Sequence, residues 1–532
     1  MGDEGARWDR GAVGPVTVTN AAERVWDWWL GVAGGPARAK VVFLLACVLG
    51  LDTADLGSVG AMAGTLERAL SLNNTELGLL AATPAICAAL ATVPLGVLAD
   101  RSSRVRLLWI TMLVWTAAQA VSGLAQSFEM LLLIRIALGV ATAAAIPTVA
   151  SLVGDLFPAG ERGRVWGLIL GGELIGAAVG YVIAGEATTF GSASWRYAFF
   201  ALAVPSFLAA LLIRRGLPEP ARGGRGRLRR GAIELVAADE ARVRDYKARP
   251  DDEFEQTDTQ RAVQEQHIAP KEQLVLHLDP ADMGLWRATR YVLRVRTNLV
   301  LIIASGLGYF YFTGVTTFGL VYFEDRYHVA HSTATFLLAL LGVGGLLGVI
   351  AGGRIADRLL RRGNINGRIT VGGVSFALAA LFFLPGLLLG TVATSLPFFI
   401  IAATAFGARN PPLDAARLDL MHHRLWGRAE AIRTLLRRML TAGAPVVFGV
   451  IADQLAPPGA HPRANGAHGF GANANAHGLR LAFLVLLITL AAGGILTLMA
   501  RRTFPRDVAT ALASEAAAAE PGNNLPRVRQ AA

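Results

Sequence analysis

Apolar residues run through this chain in long blocks, with polar residues gathered between them. Crossing the ~30 Å hydrocarbon core of a bilayer takes roughly 20 mostly apolar residues wound as a helix, because only a helix satisfies its own backbone polar groups there. By that measure the pattern predicts helices near 40–62, 76–98, 106–125, 129–153, 164–185 and 196–213, and again near 298–320, 334–356, 369–389, 394–413, 432–453 and 480–500. Between the two sets lies the polar interval 214–297, which opens with "RRGLPEPARGGRGRLRR" and continues through "RPDDEFEQTDTQ". So charged a stretch cannot enter lipid and reads as a linker. The expected fold class is an all-α integral membrane protein of twelve transmembrane helices: a six-helix bundle over 40–213, a linker over 214–297 and a second six-helix bundle over 298–500. Residues 501–532 are expected to form a disordered tail.

Charge orients the bundles. Arg101, Arg104 and Arg106 follow the second helix, Arg162 and Arg164 the fourth, Arg358, Arg361, Arg362 and Arg368 the eighth, and Arg417, Arg424 and Arg428 the tenth. These loops share a side with the linker, so the positive-inside rule makes the linker and both termini cytoplasmic. Within 1–39, "NAAERVWDWWLGV" places Asn20 and Glu23 as a helix start ahead of a run of tryptophans, and predicts a short helix at the membrane interface. In the linker, "GAIELVAADEARVRDYKA" fits a surface helix, either solvated or resting on anionic lipid headgroups.

Composition narrows the function. With 53% hydrophobic against 17% charged residues the chain is too apolar for a soluble domain of 532 residues, and its net charge of +11 is accounted for by the loop arginines, which removes nucleic acid as a partner. Cys47 and Cys87 sit inside apolar runs, and His461, His468 and His477 lie in a Gly-rich loop at spacings too wide for a metal, so no metal is expected. The N-terminus lacks a cleavable signal, and neither a phosphate-cradling loop nor a catalytic constellation is present. No enzyme activity and no cofactor are expected.

The two halves repeat. "GVLADRSSR" at 96–104 and "GGRIADRLLRR" at 352–362 share Gly96, Asp100 and Arg101 with Gly353, Asp357 and Arg358. An offset of 264 residues sets Pro147 on Pro411, Asp155 on Asp419 and Gly163–Arg164 on Gly427–Arg428. Two parallel, pseudo-symmetric halves follow.

These motifs, with Arg135 in "LLLIRIALGV", resemble the major facilitator superfamily over nearly all of the chain outside the linker and tails. The resemblance implies two six-helix bundles around a central cavity, alternating access, and a loop motif that latches the cytoplasmic side. Ser103 stands where that motif usually has Gly, and Val105 where a basic residue is common. Within the superfamily, "LDTADLGSVG", "VGDLFPAGERGR", "SWRYAFF" and "LPEPARG" look most like the spinster branch of lipid and amphiphile transporters. Asp55 matches that branch's acidic residue in the first helix. Leu56 replaces the Arg that usually follows it, and Thr142 takes a position where the branch often has Glu.

Charges inside a bilayer are costly and point to function. Asp100 and Asp357, with Gly96, Arg101, Arg104, Gly353 and Arg358, form a candidate cytoplasmic gate, against the alternative that the arginines only set topology. At 1.5 Å per residue, Asp52 and Asp55 lie roughly 18 and 22 Å above Lys40, at a depth similar to that of Arg135. Asp52, Asp55, Arg135 and Glu173 are the candidate proton-coupling residues. A pair of Asp55 with Arg135 has two readings, a coupling device and a permanent bridge. Glu173 is either a cavity residue or a packing residue beside the seam of Gly172, Gly176 and Gly180. Arg135, Glu173, Arg409 and Asn410 are candidate substrate contacts, with Tyr309 and Tyr311 either lining the cavity or packed. Arg433 is expected to snorkel to the surface, and Arg437 is open.

The expectation is a monomeric secondary transporter of the plasma membrane, in contact with membrane lipids and driven by protons. Its expected substrate is an amphiphile with an anionic or zwitterionic head, such as a lysophospholipid, moved outward. The alternatives are a drug–proton antiporter, which Asp52 and Asp55 would suit, a transporter of small organic anions or sugars, and a non-transporting receptor or scaffold.

Overall fold

The computed structural model describes residues 29–157, 162–187, 194–220, 256–277, 280, 283–422, 425–457 and 472–519. Among them are twelve helices long and apolar enough to span a membrane, and no strand. They are α1 (Pro36–Ala61), α2 (Asn74–Arg101), α3 (Arg104–Ser122), α4 (Phe128–Leu156), α5 (Arg162–Ala187), α6 (Trp195–Gly216), α7 (Arg296–Tyr327), α8 (His331–Arg361), α9 (Gly367–Leu388), α10 (Val392–Asp419), α11 (Arg428–Leu455) and α12 (Ala472–Ala500). The apolar blocks marked them to within about two turns.

Start signals in the sequence are used as such. Asn73 and Glu76 form a capping box on α2, and Ser103 and Ser127 cap α3 and α4. Three spans are broken: α4 between Thr142 and Ala145, α10 at Arg409, and α11 at Gly443. Each break lies two to four residues before a proline (Pro147, Pro411, Pro445), whose missing N–H leaves the carbonyl one turn earlier without its helical partner.

The repeat is visible in bonds. Arg104 pairs with Asp155 in the N-terminal half, and 264 residues on Arg368 pairs with Asp419 in the C-terminal half. Glycines bring helices into backbone contact in both. A Cβ on Gly176 would fall 2.0 Å from the carbonyl of Gly50, so α1 and α5 touch main chain to main chain, and a Cβ on Gly348 would fall 1.9 Å from Thr404 O between α8 and α10.

The halves are joined on the face opposite the linker. There Asp453 of α11 caps the start of α2, accepting from the Thr75 N–H at 2.8 Å, the Thr75 hydroxyl at 2.5 Å and the Asn74 amide at 2.9 Å. Asn475 accepts from Asn74 at 2.8 Å and donates to Asp325 at 2.7 Å. A Cβ on Gly60 would meet Thr316 O at 1.9 Å, and one on Gly78 would meet Pro445 O at 2.4 Å, so α1 to α7 and α2 to α11 have no room between them at this end.

One expectation about the C-terminal tail needs correcting. The stretch from 501, expected to be disordered, carries the helix Phe504–Ala519, an Ala-rich segment that buries Val508 and Ala511. The later part of the linker is docked beside it. Lys271 reaches the buried Asp507 at 2.5 Å, the Lys271 and Leu276 N–H groups donate to Thr510 and Ser514, and Thr257 donates to Asp419 at 2.7 Å. Linker helices Asp258–Glu265 and Leu285–Arg294 result. The helix expected from Asn20 and the linker helix expected over "GAIELVAADEARVRDYKA" lie outside the described residues. The chain is helical at 29–33, where Trp29 packs on the N-terminal bundle.

Candidate functional site

Asp55 and Arg135 meet. Arg135 Nη1 donates to both oxygens of Asp55, at 2.7 and 2.9 Å, and Gln119 Nε2 donates to Oδ1 at 2.5 Å. The guanidinium lies 5.1 Å from the Phe199 ring centroid. Its four members come from α1, α3, α4 and α6, all within one half, and the two charged side chains are only 1% and 2% exposed. Both side chains are closed off from solvent.

Asp52, one turn earlier on α1, has a different partner. Arg438 of α11 donates to Asp52 Oδ2 at 3.2 Å and lies 3.6 Å from Glu173 Oε1 on α5. This cation crosses between the halves and bridges two carboxylates of the other one. Exposures of 28% for Arg438, 12% for Asp52 and 18% for Glu173 leave the bridge within reach of solutes.

Beyond Arg438 the C-terminal side of the site is cationic and aromatic. Arg437, the preceding residue, sits 4.4 Å from the Tyr309 centroid, and Arg409 lies 4.7 Å from the same ring. Arg409 is also 3.9 Å from Phe406 and 4.8 Å from Phe376, and its Nε and Nη2 find no hydrogen-bond partner among the described residues. It occupies the break in α10, with Asn410 half-buried after it. Phe312 stacks on Phe406 at 5.2 Å, giving the cation an aromatic wall. The three other α10–α11 arginines are occupied: Arg417 pairs with Asp414, Arg433 with Glu430, and Arg428 donates to the carbonyls of Pro280 and Met283.

Several expected site residues lie elsewhere. Tyr311 faces away from Tyr309, buried against Phe383, Phe448 and Phe483 in the C-terminal core, because two residues along a helix turn a side chain to the far side. Arg433 is buried beside Glu430 and does not snorkel. Arg104, expected in a latch between the halves, is spent inside the N-terminal one, donating to Glu219 Oε1 at 2.9 Å and to Pro220 O at 2.5 Å besides its pair with Asp155. Gly96 and Asp100 lie on α2, and nothing is described of their surroundings, while Arg101, Asp357 and Arg358 are exposed. At Gly353 a Cβ would meet Pro411 at an ordinary 3.6 Å. Its neighbour Gly352 makes the close approach, 2.0 Å from Ala408 O.

Glu219 closes the Arg104 clamp. Burial raises its pKa, but hydrogen bonds from the Ser103 hydroxyl at 2.6 Å, the Val105 N–H at 2.8 Å and Arg104 outweigh burial and hold it below the usual carboxylate range. A depressed folded-state pKa stabilises fully above the unfolded value and is lost as pH falls through the folded one. Acidification below the ordinary carboxylate range should therefore destabilise the wild type more than Glu219→Gln, read as melting temperature against pH. Parallel curves for the two would contradict the clamp.

The model of the Major Facilitator Superfamily matches residues 44–445. The chain belongs to that superfamily. Facilitator relatives include a probable L-galactonate transporter of Escherichia coli, 30% identical over 172 residues (32% of this chain, 37% of that protein), and human protein spinster homolog 3, 26% identical over 205 residues (37% and 39%). The matches thus span less than half of these relatives. A solved bacterial homolog of the human lysosomal transporter spinster, inward-facing and unoccupied, superposes with a TM-score of 0.63 at 19% identity, over 89% of this chain and 98% of that one. This facilitator is a multi-pass membrane protein, and its helices follow the fold of that spinster homolog.

Proposed function

We propose that this facilitator carries an organic anion with an apolar or aromatic body, together with protons, across the plasma membrane, with the linker and both termini cytoplasmic. The observation that carries the reading is the Arg438 bridge to Asp52 and Glu173, next to Arg437 and to an Arg409 that is set among aromatic rings and forms no ion pair among the described residues. A proton taken up by Asp52 or Glu173 releases Arg438, which then holds the substrate anion with Arg437 and Arg409. Loss of the proton restores the bridge and expels the anion, so proton and anion travel in the same direction. Asp55–Arg135 braces α1 to α4, α3 and α6 through the cycle, since its members belong to one rigid half. The bonds on the far face hold the carrier shut on that side, with the site reached from the linker side.

Lysophospholipid-like amphiphiles fit this site through their phosphate and chain. Smaller acids fit it through a carboxylate, the group that L-galactonate, for which one relative is named, also carries. Cationic drugs fit poorly, because both aspartates that would receive them already face arginines. The test is thermal stabilisation of the purified chain by lysophosphatidic acid, aromatic carboxylates, L-galactonate and cationic drugs. A ligand at ~100 times its dissociation constant adds about 2.7 kcal/mol to the folded state. Saturable stabilisation by anions, stronger at lower pH and lost in Arg409→Ala, is expected. Stabilisation by cations alone would overturn the reading.

A further inference from the structure

A second cationic site lies well away from the bridge, on the linker face. The helix Leu285–Arg294 ends at Val295, one residue before α7 enters its apolar span, so it sits at the edge of the hydrocarbon. Its Ala288, Tyr291, Val292 and the following Val295 are buried against the protein. Arg287, Arg290 and Arg294, at i, i+3 and i+7, share the other face. With the docked linker segment they line an open cleft of about 470 Å³, whose apolar part is supplied by residues such as Leu274, Leu276 and Tyr291. None of the three arginines has a hydrogen-bonding or carboxylate partner among the described residues. Beside them Trp286 is 80% exposed, a large ring left open by the described residues.

We propose that this cleft binds the headgroup of an anionic phospholipid from the leaflet on the linker side. Three unpaired guanidiniums supply the fork geometry that phosphate oxygens match. The apolar part receives the glycerol and the first methylenes, and Trp286 takes the interfacial position favoured by tryptophan. A polar soluble anion would leave that part and Trp286 unused. The position of the cleft, on the helix that leads into α7, ties lipid binding to the docking of the linker and of the helix Phe504–Ala519, both of which pack there.

The test is native mass spectrometry of the full-length chain in detergent, with dioleoyl phosphatidylglycerol and phosphatidylcholine as probes. Wild type should retain phosphatidylglycerol in preference to phosphatidylcholine. Arg287→Ala/Arg290→Ala/Arg294→Ala should lower that retention at least roughly tenfold, since each basic residue near a membrane surface contributes to anionic lipid binding. Trp286→Ala, which leaves the charge unchanged, should weaken it as well. Removing equal charge elsewhere on the same face, in Arg361→Ala/Arg362→Ala/Arg502→Ala, should not, and neither should Arg438→Ala. Equal losses in the control triple would mean diffuse electrostatics, a loss in Arg438→Ala would place the lipid in the transport site, and displacement by inorganic phosphate would mean a soluble-anion site. Each of these results, or an unaffected Arg287/Arg290/Arg294 variant, overturns the proposal.

Discussion

Asp55→Asn is expected to lower the unfolding free energy in detergent by about 3–5 kcal/mol, the range for removing one partner of a buried ion pair, and Arg135→Ala by distinctly less. The asymmetry follows from what each change leaves behind. Without Asp55, Arg135 keeps a charge it cannot shed, in a pocket made by Gln119 and Phe199 where Nε and Nη2 already have no hydrogen-bond partner among the described residues. Without Arg135, Asp55 can take up a proton and keep its hydrogen bond with Gln119. The double change Asp55→Asn/Arg135→Gln removes both charges and should recover most of the loss. Denaturant unfolding of the four proteins checks this order, and equal losses in the two single variants would contradict it.

Arg438→Ala is expected to weaken binding of the stabilising anion by roughly 30-fold, the equivalent of about 2 kcal/mol for one charge-assisted contact. The variant loses the cation that meets the anion and also leaves Asp52 and Glu173 facing the site without their counter-charge, which repels an anion further. Arg438→Lys should fall between the two, since an ammonium keeps the charge but cannot span both carboxylates with a planar fork. Titration by thermal shift or calorimetry reads the effect. Unchanged affinity in Arg438→Ala would place the anion elsewhere.

Much of this architecture was legible in the chain, and the illegible part has a common cause. Periodicity and length place all twelve spans, because lipid leaves the backbone one choice. The same 264-residue offset relates Arg104–Asp155 to Arg368–Asp419, but the sequence does not show that these arginines pair with the aligned aspartates. Depth alone brought Asp55 and Arg135 together as candidates, since counting 1.5 Å per residue from each membrane face needs no knowledge of helix rotation.

Rotation is what the chain does not declare. Whether Tyr309 or Tyr311 faces the site, and whether Arg433, Arg437 or Arg438 reaches the other half, depends on how α7 and α11 turn against their neighbours. Arg438 was missed on that account. A signal existed in "RTLLRRML", where adjacent arginines sit mid-span and only one can share a face with Arg433. The Ala-rich tail was misjudged because its small residues look dispensable in isolation, whereas the buried Asp507 holding Lys271 and the Thr297 N–H depends on the docked linker.

The central claim is that a proton taken up at the Asp52–Glu173–Arg438 bridge admits the anion. It is tested most directly in proteoliposomes loaded with a pH-reporting dye, to which the anion that best stabilises the chain is added without an imposed gradient. Wild type should change the lumenal pH as the anion enters, acidifying it. Asp52→Asn/Glu173→Gln, whose Arg438 is permanently free, should still exchange the anion and move no protons. Anion entry without a pH change in wild type, or an unchanged pH response in the double variant, would contradict the account.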